Sequence, residues 1–418
     1  MTSQTGYLAS PAHREFLDSE ALRLLAFGSA AAHPGKAGAA YLDDAGRPIE
    51  AQGIQTWITC RMVHSFSLGA LMGLPGCAAI AEAALAGLTG PLLDAEFGGW
   101  FHAVSDDGAP DLASGKTAYD HAFVMLAASS ATIAGLRGGA QLLAEATAVF
   151  LTRFWDDVVG RPIDSWNRDF TEADPYRGLN SSMHTLEAML SVAAAVDGAD
   201  RAGWLDRAAR IALFVVELAK AHEGRLPEHF GSNWDVDLEL NADRPGDQFK
   251  PYGVTPGHGL EWARLLLHTE AALGADDPRT AELLPTAIAL FDRAVADGWA
   301  ADGADGFVYT TNWQGEPVVR ERMHWVLCEA LAAAAVLFDR TGDRRYESLY
   351  QGWWSYAETY LLDTEKGSWH HELDTQNRPA ASVWPGKPDI YHAFQCVLIP
   401  RLPRFPMVAG ALHDGSLR

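Results

Sequence analysis

The chain has 418 residues, 48% of them hydrophobic and 21% charged, an ordinary balance for a globular protein with a large core. Asp and Glu number 54 against 32 Lys and Arg, a net charge of −22, so nucleic acid and anionic membrane surfaces are excluded as partners by repulsion and a neutral ligand is favoured. The four cysteines, Cys60, Cys77, Cys328 and Cys396, lie scattered in apolar stretches without C-x-x-C spacing, which argues against zinc and a disulfide framework and for buried thiols in a reducing cytoplasm. The start, Met1 to Tyr7, has no basic and apolar export segment, and no apolar run approaches the ~18 residues of a spanning helix.

In chain order, residues 11–32 carry Phe16, Leu17, Leu22, Leu24, Leu25 and Phe27 at helical spacing and predict a first, outer helix. Residues 36–50 are rich in Gly and Asp and predict a turn leading into a helix near Thr56. Residues 99–110, 306–317 and 367–379 share one pattern: a Gly, an alternating aromatic and polar run, a polar turn and a Pro, which predicts short β-hairpins. Between them lie Ala-rich helical runs at 122–128, 186–190 and 329–336, whose small residues suit close helix packing, and more amphipathic ones such as 205–214. The tail after Arg404 is expected to be loosely held. No linker or second domain is evident, so residues 1–418 read as one domain.

The strongest local signal is Thr255-Pro256-Gly257-His258-Gly259-Leu260-Glu261-Trp262. Pro at a first helical position after Thr is a helix start, which places His258 in the first turn, where the aligned peptide dipoles disfavour a cation, and Glu261 three residues on along the same face. Five other segments have the same build, a polar or Gly/Pro lead-in, a His and an apolar run, at His64, His121, His184, His324 and His392. Successive His lie 57 to 74 residues apart, a period that fits two helices plus loops, and six such units account for nearly the whole chain. Six helical hairpins in a ring make an all-α (α/α)6 barrel, with the β-hairpin loops at the mouth of a pocket and six His gathered around it. The Trp and Phe of those loops suit the apolar faces of a sugar ring.

The sequence has no H-E-x-x-H, G-x-S-x-G, P-loop or helix-opening G-x-G-x-x-G, which removes the common metal, nucleophile and nucleotide chemistries. His370-His371-Glu372 is a poor metal cluster, because neighbours on an extended run point to opposite sides. General acid–base chemistry on a small polyol fits better. Moving a proton between C1 and C2 of an open-chain sugar needs a neutral base, an acid near the carbonyl oxygen and donors for the hydroxyls, and His supplies the first two near neutral pH.

Trp57-Ile58-Thr59-Cys60-Arg61-Met62-Val63-His64, Tyr119-Asp120-His121-Ala122-Phe123, Pro256-Gly257-His258-Gly259-Leu260-Glu261-Trp262 and Gly386-Lys387-Pro388-Asp389-Ile390-Tyr391-His392-Ala393 together resemble the N-acylglucosamine 2-epimerase superfamily, over essentially the whole chain. The last motif is most similar to its mannose isomerase and sulfoquinovose isomerase branch of aldose–ketose isomerases. The resemblance implies an (α/α)6 barrel, no metal or other cofactor, and His258 and His392 as the acid–base pair, supported by Arg61, His184 and Glu261. It also places Tyr119, Asn180, Trp57, Trp325 and Trp384 around a monosaccharide. Beside that, Arg61 reads as a fixed donor that cannot act as a base. His392 reads as the base moving the proton from C2 to C1 through a cis-enediol, and His258, held by Glu261, as the group serving O1 and O2, with the two roles exchangeable. His64, His121 and His324 read more readily as structural, at least one of them as a hydrogen-bonded wall residue. The expected reaction interconverts D-mannose, and aldoses such as D-lyxose, with ketoses, in a monomer or homodimer. The alternatives are a sulfo-sugar isomerase, for which Arg61 and Lys387 are a thin supply of cations, a 2-epimerase, and a glycoside hydrolase using carboxylates such as Asp120, Glu261 or Glu372.

Overall fold

The computed structural model describes residues 6–32 and 36–417. Met1 to Thr5, within the stretch read as lacking an export signal, lie outside the described residues. Among the described residues there are thirteen α-helices: α1 (Pro11–Gly28), α2 (Thr56–Leu71), α3 (Cys77–Leu88), α4 (Ala118–Ile133), α5 (Gly139–Val149), α6 (Leu179–Ala195), α7 (Gly198–Ala221), α8 (Pro256–Leu273), α9 (Leu283–Gly298), α10 (His324–Thr341), α11 (Arg344–Tyr356), α12 (Tyr391–Leu398) and α13 (Val408–His413). The first twelve alternate. Helices α2, α4, α6, α8, α10 and α12 form an inner ring, each packed on the next and α12 back on α2. Helices α3, α5, α7, α9 and α11 pack outside the inner helix that precedes each of them, and α1 packs on α12, so the first helix closes the ring against the last inner one. This is the expected (α/α)6 barrel.

The composition explains the layering. The inner helices are buried along most of their length, and in α10 the run Ala332 to Ala335 offers only methyl groups, which lets neighbours approach closely. The tail departs from its expectation. Val408 to Leu412 are buried, and α13 packs on α2, α4 and α6, because its apolar run covers the end of the barrel where α4 and α6 finish.

The loops at the other end carry five two-stranded antiparallel pairs among the described residues. The three predicted hairpins are present in minimal form, each closed by one bridge to its Pro: Val104 to Pro110, Thr311 to Pro317 and Leu373 to Pro379. Their main pairing, however, is with the chain entering the preceding inner helix, as in Ile54–Gln55 with Ala103–Val104 and Arg322–Met323 with Glu372–Leu373. A helix leaves its first N–H groups without partners, and these loops supply them. The first amides of α2, α4, α6 and α10 donate to the carbonyls of His102 (2.9 Å), Asp164 (2.7 Å), Glu228 (2.9 Å) and His371 (3.0 Å). Helix α8 begins with Pro256, which has no N–H to satisfy, and there the strand contact shifts to Val254 and Thr311. Each unit thereby sets one loop residue beside the mouth of the preceding inner helix.

A buried cation just before an inner helix braces several of these loops. Lys116 bonds Asp94 (3.0 Å), Arg322 bonds Asp302 (2.7 Å) and Lys387 bonds Asp363 (2.6 Å). Lys387, weighed above as a cation for a sulfo-sugar, is therefore part of the scaffold: its ammonium is held by Asp363 and the Gly367 carbonyl and lines no part of the pocket.

Candidate active site

The inner helices open onto one cavity, and Trp57, Arg61, Tyr119, Asn180, His184, His258, Glu261, Trp325, Trp384 and His392 all line it. Their placement follows from helix register. The second residues of five inner helices, Trp57, Tyr119, Asn180, Trp325 and His392, face the mouth, and in α8 that position is Gly257. A Cβ on Gly257 would lie 2.6 Å from the Trp325 ring, so the glycine makes room for the indole. Four residues further along, on the same helical faces, stand Arg61, His184, Glu261 and Glu329.

His258 and His392 form matched pairs with carboxylates. His258 Nδ1 lies 2.9 Å from Glu228 Oε1, and His392 Nδ1 lies 2.9 Å from Glu329 Oε1. Since an ionised carboxylate only accepts, each ring donates from Nδ1 and leaves Nε2 without a hydrogen bond among the described residues. The Trp325 indole lies against both imidazoles, with centroids 5.2 Å from His258 and 5.7 Å from His392. Glu261 does not hold His258, as its spacing suggested. It turns instead toward Arg264 Nη2 at 3.5 Å, because the Glu228 carboxylate on the neighbouring loop already occupies Nδ1.

Below the pocket lies a buried charge network. Arg264, fully buried, bonds Glu329 at 2.8 Å and lies 3.8 Å from Glu187, which in turn accepts from the Tyr391 hydroxyl. One guanidinium thus faces three carboxylates. Burial, then repulsion from Glu329, pushes the Glu261 carboxyl well above its usual range, so it is the neutral acid of the three. Burial also opposes the charge on Glu329, but Arg264 and His392 outweigh it and hold that carboxylate below its usual range. Burial lowers His392 below 6.5, partly offset by Glu329. His184 falls to about 4, burial again leading and Glu187 opposing. These imidazoles are neutral at neutral pH. Two groups, His184 with Glu187 and Glu261, and Glu261 with Glu329 and His392, are close enough to offer three ligands to a metal. In both, Arg264 already supplies the positive charge the acids require.

Arg61 is fixed as expected. It bonds Asp389 (3.0 Å) and the Tyr119 hydroxyl (3.1 Å), and lies against the rings of Trp57, Phe123 and Tyr391 at 4.7 to 4.9 Å. Because Arg61 donates to the Tyr119 oxygen, the phenolic proton is left for a ligand.

The six His do not all meet. His184, His258, His324 and His392 line the pocket, whereas His64 sits on the ninth residue of α2, below it, bonded to Ser130 Oγ at 2.7 Å. His121 is a wall residue, accepting from the Trp100 amide and bonding the Thr117 carbonyl. The repeat is one of helices, and each His takes its own place along them. Asp120 and Glu372, candidates for a hydrolase, lie outside the lining, bonded to His102 and to loop amides respectively. Sequence reasoning missed Glu228 and Glu329, the carboxylates behind the His pair, and Gln248, Phe249, Tyr309, His371 and Asp389 in the lining. The loop register was the available signal, since Glu228, Tyr309 and His371 occupy the same strand position in successive units.

The profile of the family N-acylglucosamine 2-epimerase (GlcNAc 2-epimerase) matches residues 38–396. The D-mannose isomerase of Thermobifida fusca is 51% identical over 410 residues, covering 98% of this chain and 99% of that protein. The D-mannose isomerase of Pseudomonas cannabina pv. alisalensis is 46% identical over 413 residues, covering 98% and 97%. A crystal structure of a D-mannose isomerase superposes with a TM-score of 0.83 at 26% identity, covering 94% of this chain and 99% of that one.

Proposed function

This chain belongs to the N-acylglucosamine 2-epimerase family, and from that membership we propose that it is an aldose–ketose isomerase interconverting D-mannose, and related aldoses such as D-lyxose, with the corresponding ketoses, D-fructose from mannose. The observation that carries the reading is the pair of His–Glu units, each with Nε2 unbonded among the described residues, flanking one indole in one pocket.

In the mechanism this supports, the open-chain aldose lies with C2 toward His392. Nε2 takes the C2 proton, the electron pair forms the C1=C2 bond of a cis-enediolate with its charge on O1, and His258 Nε2 accepts the O2 proton and passes it to O1. The charge now on O2 makes the new carbonyl, and His392 returns its proton to C1. Both imidazoles end as they began. Glu329 stabilises the imidazolium formed at His392, and Glu228 does the same for His258. Arg61, Tyr119, Asn180, His184 and the neutral Glu261 hold the hydroxyls, and Trp57, Trp325 and Trp384 cover the ring carbons. One base on one face suffices for isomerisation, whereas 2-epimerisation requires proton delivery to both faces of the enediol.

The charge of the lining favours a neutral sugar. Among the described residues Arg61 is its one cationic side chain apart from His, and Asp389 neutralises it, so the described lining offers a sulfonate no unpaired cation. We read residues 1–418 as a single catalytic domain because all six helical hairpins contribute to the same pocket. We also propose metal-independent turnover, with Arg264 filling the role a cation would have among the acids. Four free, buried cysteines support a reducing, cytoplasmic setting, and no helix among the described residues is long and apolar enough to cross a membrane. The test is turnover of mannose, lyxose, glucose, sulfoquinovose and an oligosaccharide after exhaustive chelation. Ketose formed from mannose at full rate is expected. Glucose as the main product would indicate a 2-epimerase, and activity restored only by a divalent ion would overturn metal independence.

A further inference from the structure

Glu372 was weighed as a metal ligand and as a hydrolase acid, and the function uses it as neither, yet its carboxylate is among the most heavily bonded on the protein. It is 1% exposed and accepts four hydrogen bonds from one short stretch: Ser382 N (2.8 Å) and Oγ (2.5 Å) on Oε1, and Val383 N (2.8 Å) and Trp384 N (2.7 Å) on Oε2. Outside these four bonds the backbone of residues 382–384 makes no hydrogen bond among the described residues, and the next hold is the Tyr41 hydroxyl on the Pro385 carbonyl (2.6 Å). Ala381 and Ser382 are exposed and the segment has no helix or strand of its own, although it carries Trp384 into the pocket lining. There the indole packs edge-on to Trp57 (6.1 Å) and Phe249 (5.5 Å), across the mouth. Glu372 itself is anchored by strand pairing, opposite Met323 in the strand that leads into α10, next to His324 and Trp325.

We propose that Glu372 is a positioning residue whose ionised carboxylate clamps residues 382–384 and thereby sets Trp384 over the bound sugar. An acceptor-only carboxylate matches four converging donors. Glutamine does not, since its NH₂ group would face backbone N–H groups. The clamp governs capture of the sugar and leaves the proton transfer between His392 and His258 alone. The effect on sugar rests on the isomerase reading above, whereas the effect on the loop does not.

The test compares Glu372→Gln with the unaltered protein in two ways. Amide hydrogen exchange over residues 380–386, which needs no substrate, is expected to show protected Ser382, Val383 and Trp384 amides that exchange fast in the variant, with the barrel helices unchanged. Steady-state kinetics on mannose is expected to show KM raised about tenfold with kcat nearly retained. In a Trp384→Ala background the same substitution is expected to add nothing, because the group being positioned is gone. Should Glu372→Gln not fold, Ser382→Ala removes one donor of the four and carries the same comparison with a smaller effect. Amides that are unprotected from the start, or equally protected in the variant, would overturn the clamp. A KM penalty that persists in full without Trp384 would overturn its role in placing that residue. Failure of the protein to turn over mannose would count against the isomerase reading and leave the exchange result to decide the clamp.

Discussion

A histidine becomes a usable base here through what lies behind it. Glu329 and Glu228 fix the tautomers of His392 and His258 and lie 63 and 30 residues away from them in sequence, so spacing could not reveal them. The i,i+3 pattern drew attention to Glu261, which burial and Glu329 instead make a neutral acid. Of the ten lining residues named from the sequence, His184, His258, His392 and Glu261 showed in helix starts and spacing, and Trp57, Arg61, Tyr119, Asn180, Trp325 and Trp384 came through the resemblance to a family, whereas Glu329 was read as part of an Ala-rich helical run. A pH prediction belongs at this scale. His392 must be neutral to accept the C2 proton, and burial sets its pKa below 6.5, so kcat/KM is expected to be flat through neutral pH and to fall only on the acid side of 6.5. Glu329 favours the charged ring. In Glu329→Gln the acid limb of the pH profile is therefore expected to move to lower pH while the plateau drops about 10²-fold or more. An acid limb that stays put or moves upward would contradict the pairing.

Among the elements, the helices were more legible than the loops between them. Pro256 after Thr255 marks the start of α8, and Ala-rich runs mark the inner ring, since both are local signals. The loop strands were legible as hairpins but not in their true pairing, which joins two-residue strands 48 to 53 residues apart, too short to leave a period in the sequence. That pairing carries Glu228 and His371 to the mouth. The first turn of α8 offers the matching prediction. An added Cβ at Gly257 would lie 2.6 Å from the Trp325 ring and 2.8 Å from Val326 Cγ2, so Gly257→Ala must displace the indole from between the two imidazoles. The expected result is a loss of about 1–3 kcal/mol of stability and a fall in kcat/KM of tenfold or so. Unaltered kinetics would mean that the indole does not order the pair.

At the scale of the whole molecule, the six-fold His spacing gave the architecture, and the closure of α1 on α12 completed it. Buried histidines, four of the repeat's and His268, set a cost in acid. Burial first of all holds His64, His121, His184 and His268 near about 4 and His324 near about 3, against about 6.5 in an unfolded chain. Between those values the unfolded chain binds the extra protons, so this share of stability is complete above pH 6.5 and is lost progressively toward pH 4. Glu261 and Asp164, both raised above their usual range chiefly by burial, pull the other way with two protons against five. Thermal unfolding is expected to show Tm falling steadily from pH 6.5 to 4.5, and a flat Tm over that range would contradict neutral burial of the five rings. The measurement that tests the central claim most directly is proton NMR of D-mannose in heavy water with the unaltered protein, His392→Ala and His258→Ala. Fructose carrying solvent deuterium at C1, formed by the unaltered protein and lost about 10²-fold or more in both variants, is the predicted result. Fructose formed at an undiminished rate by either variant would contradict it.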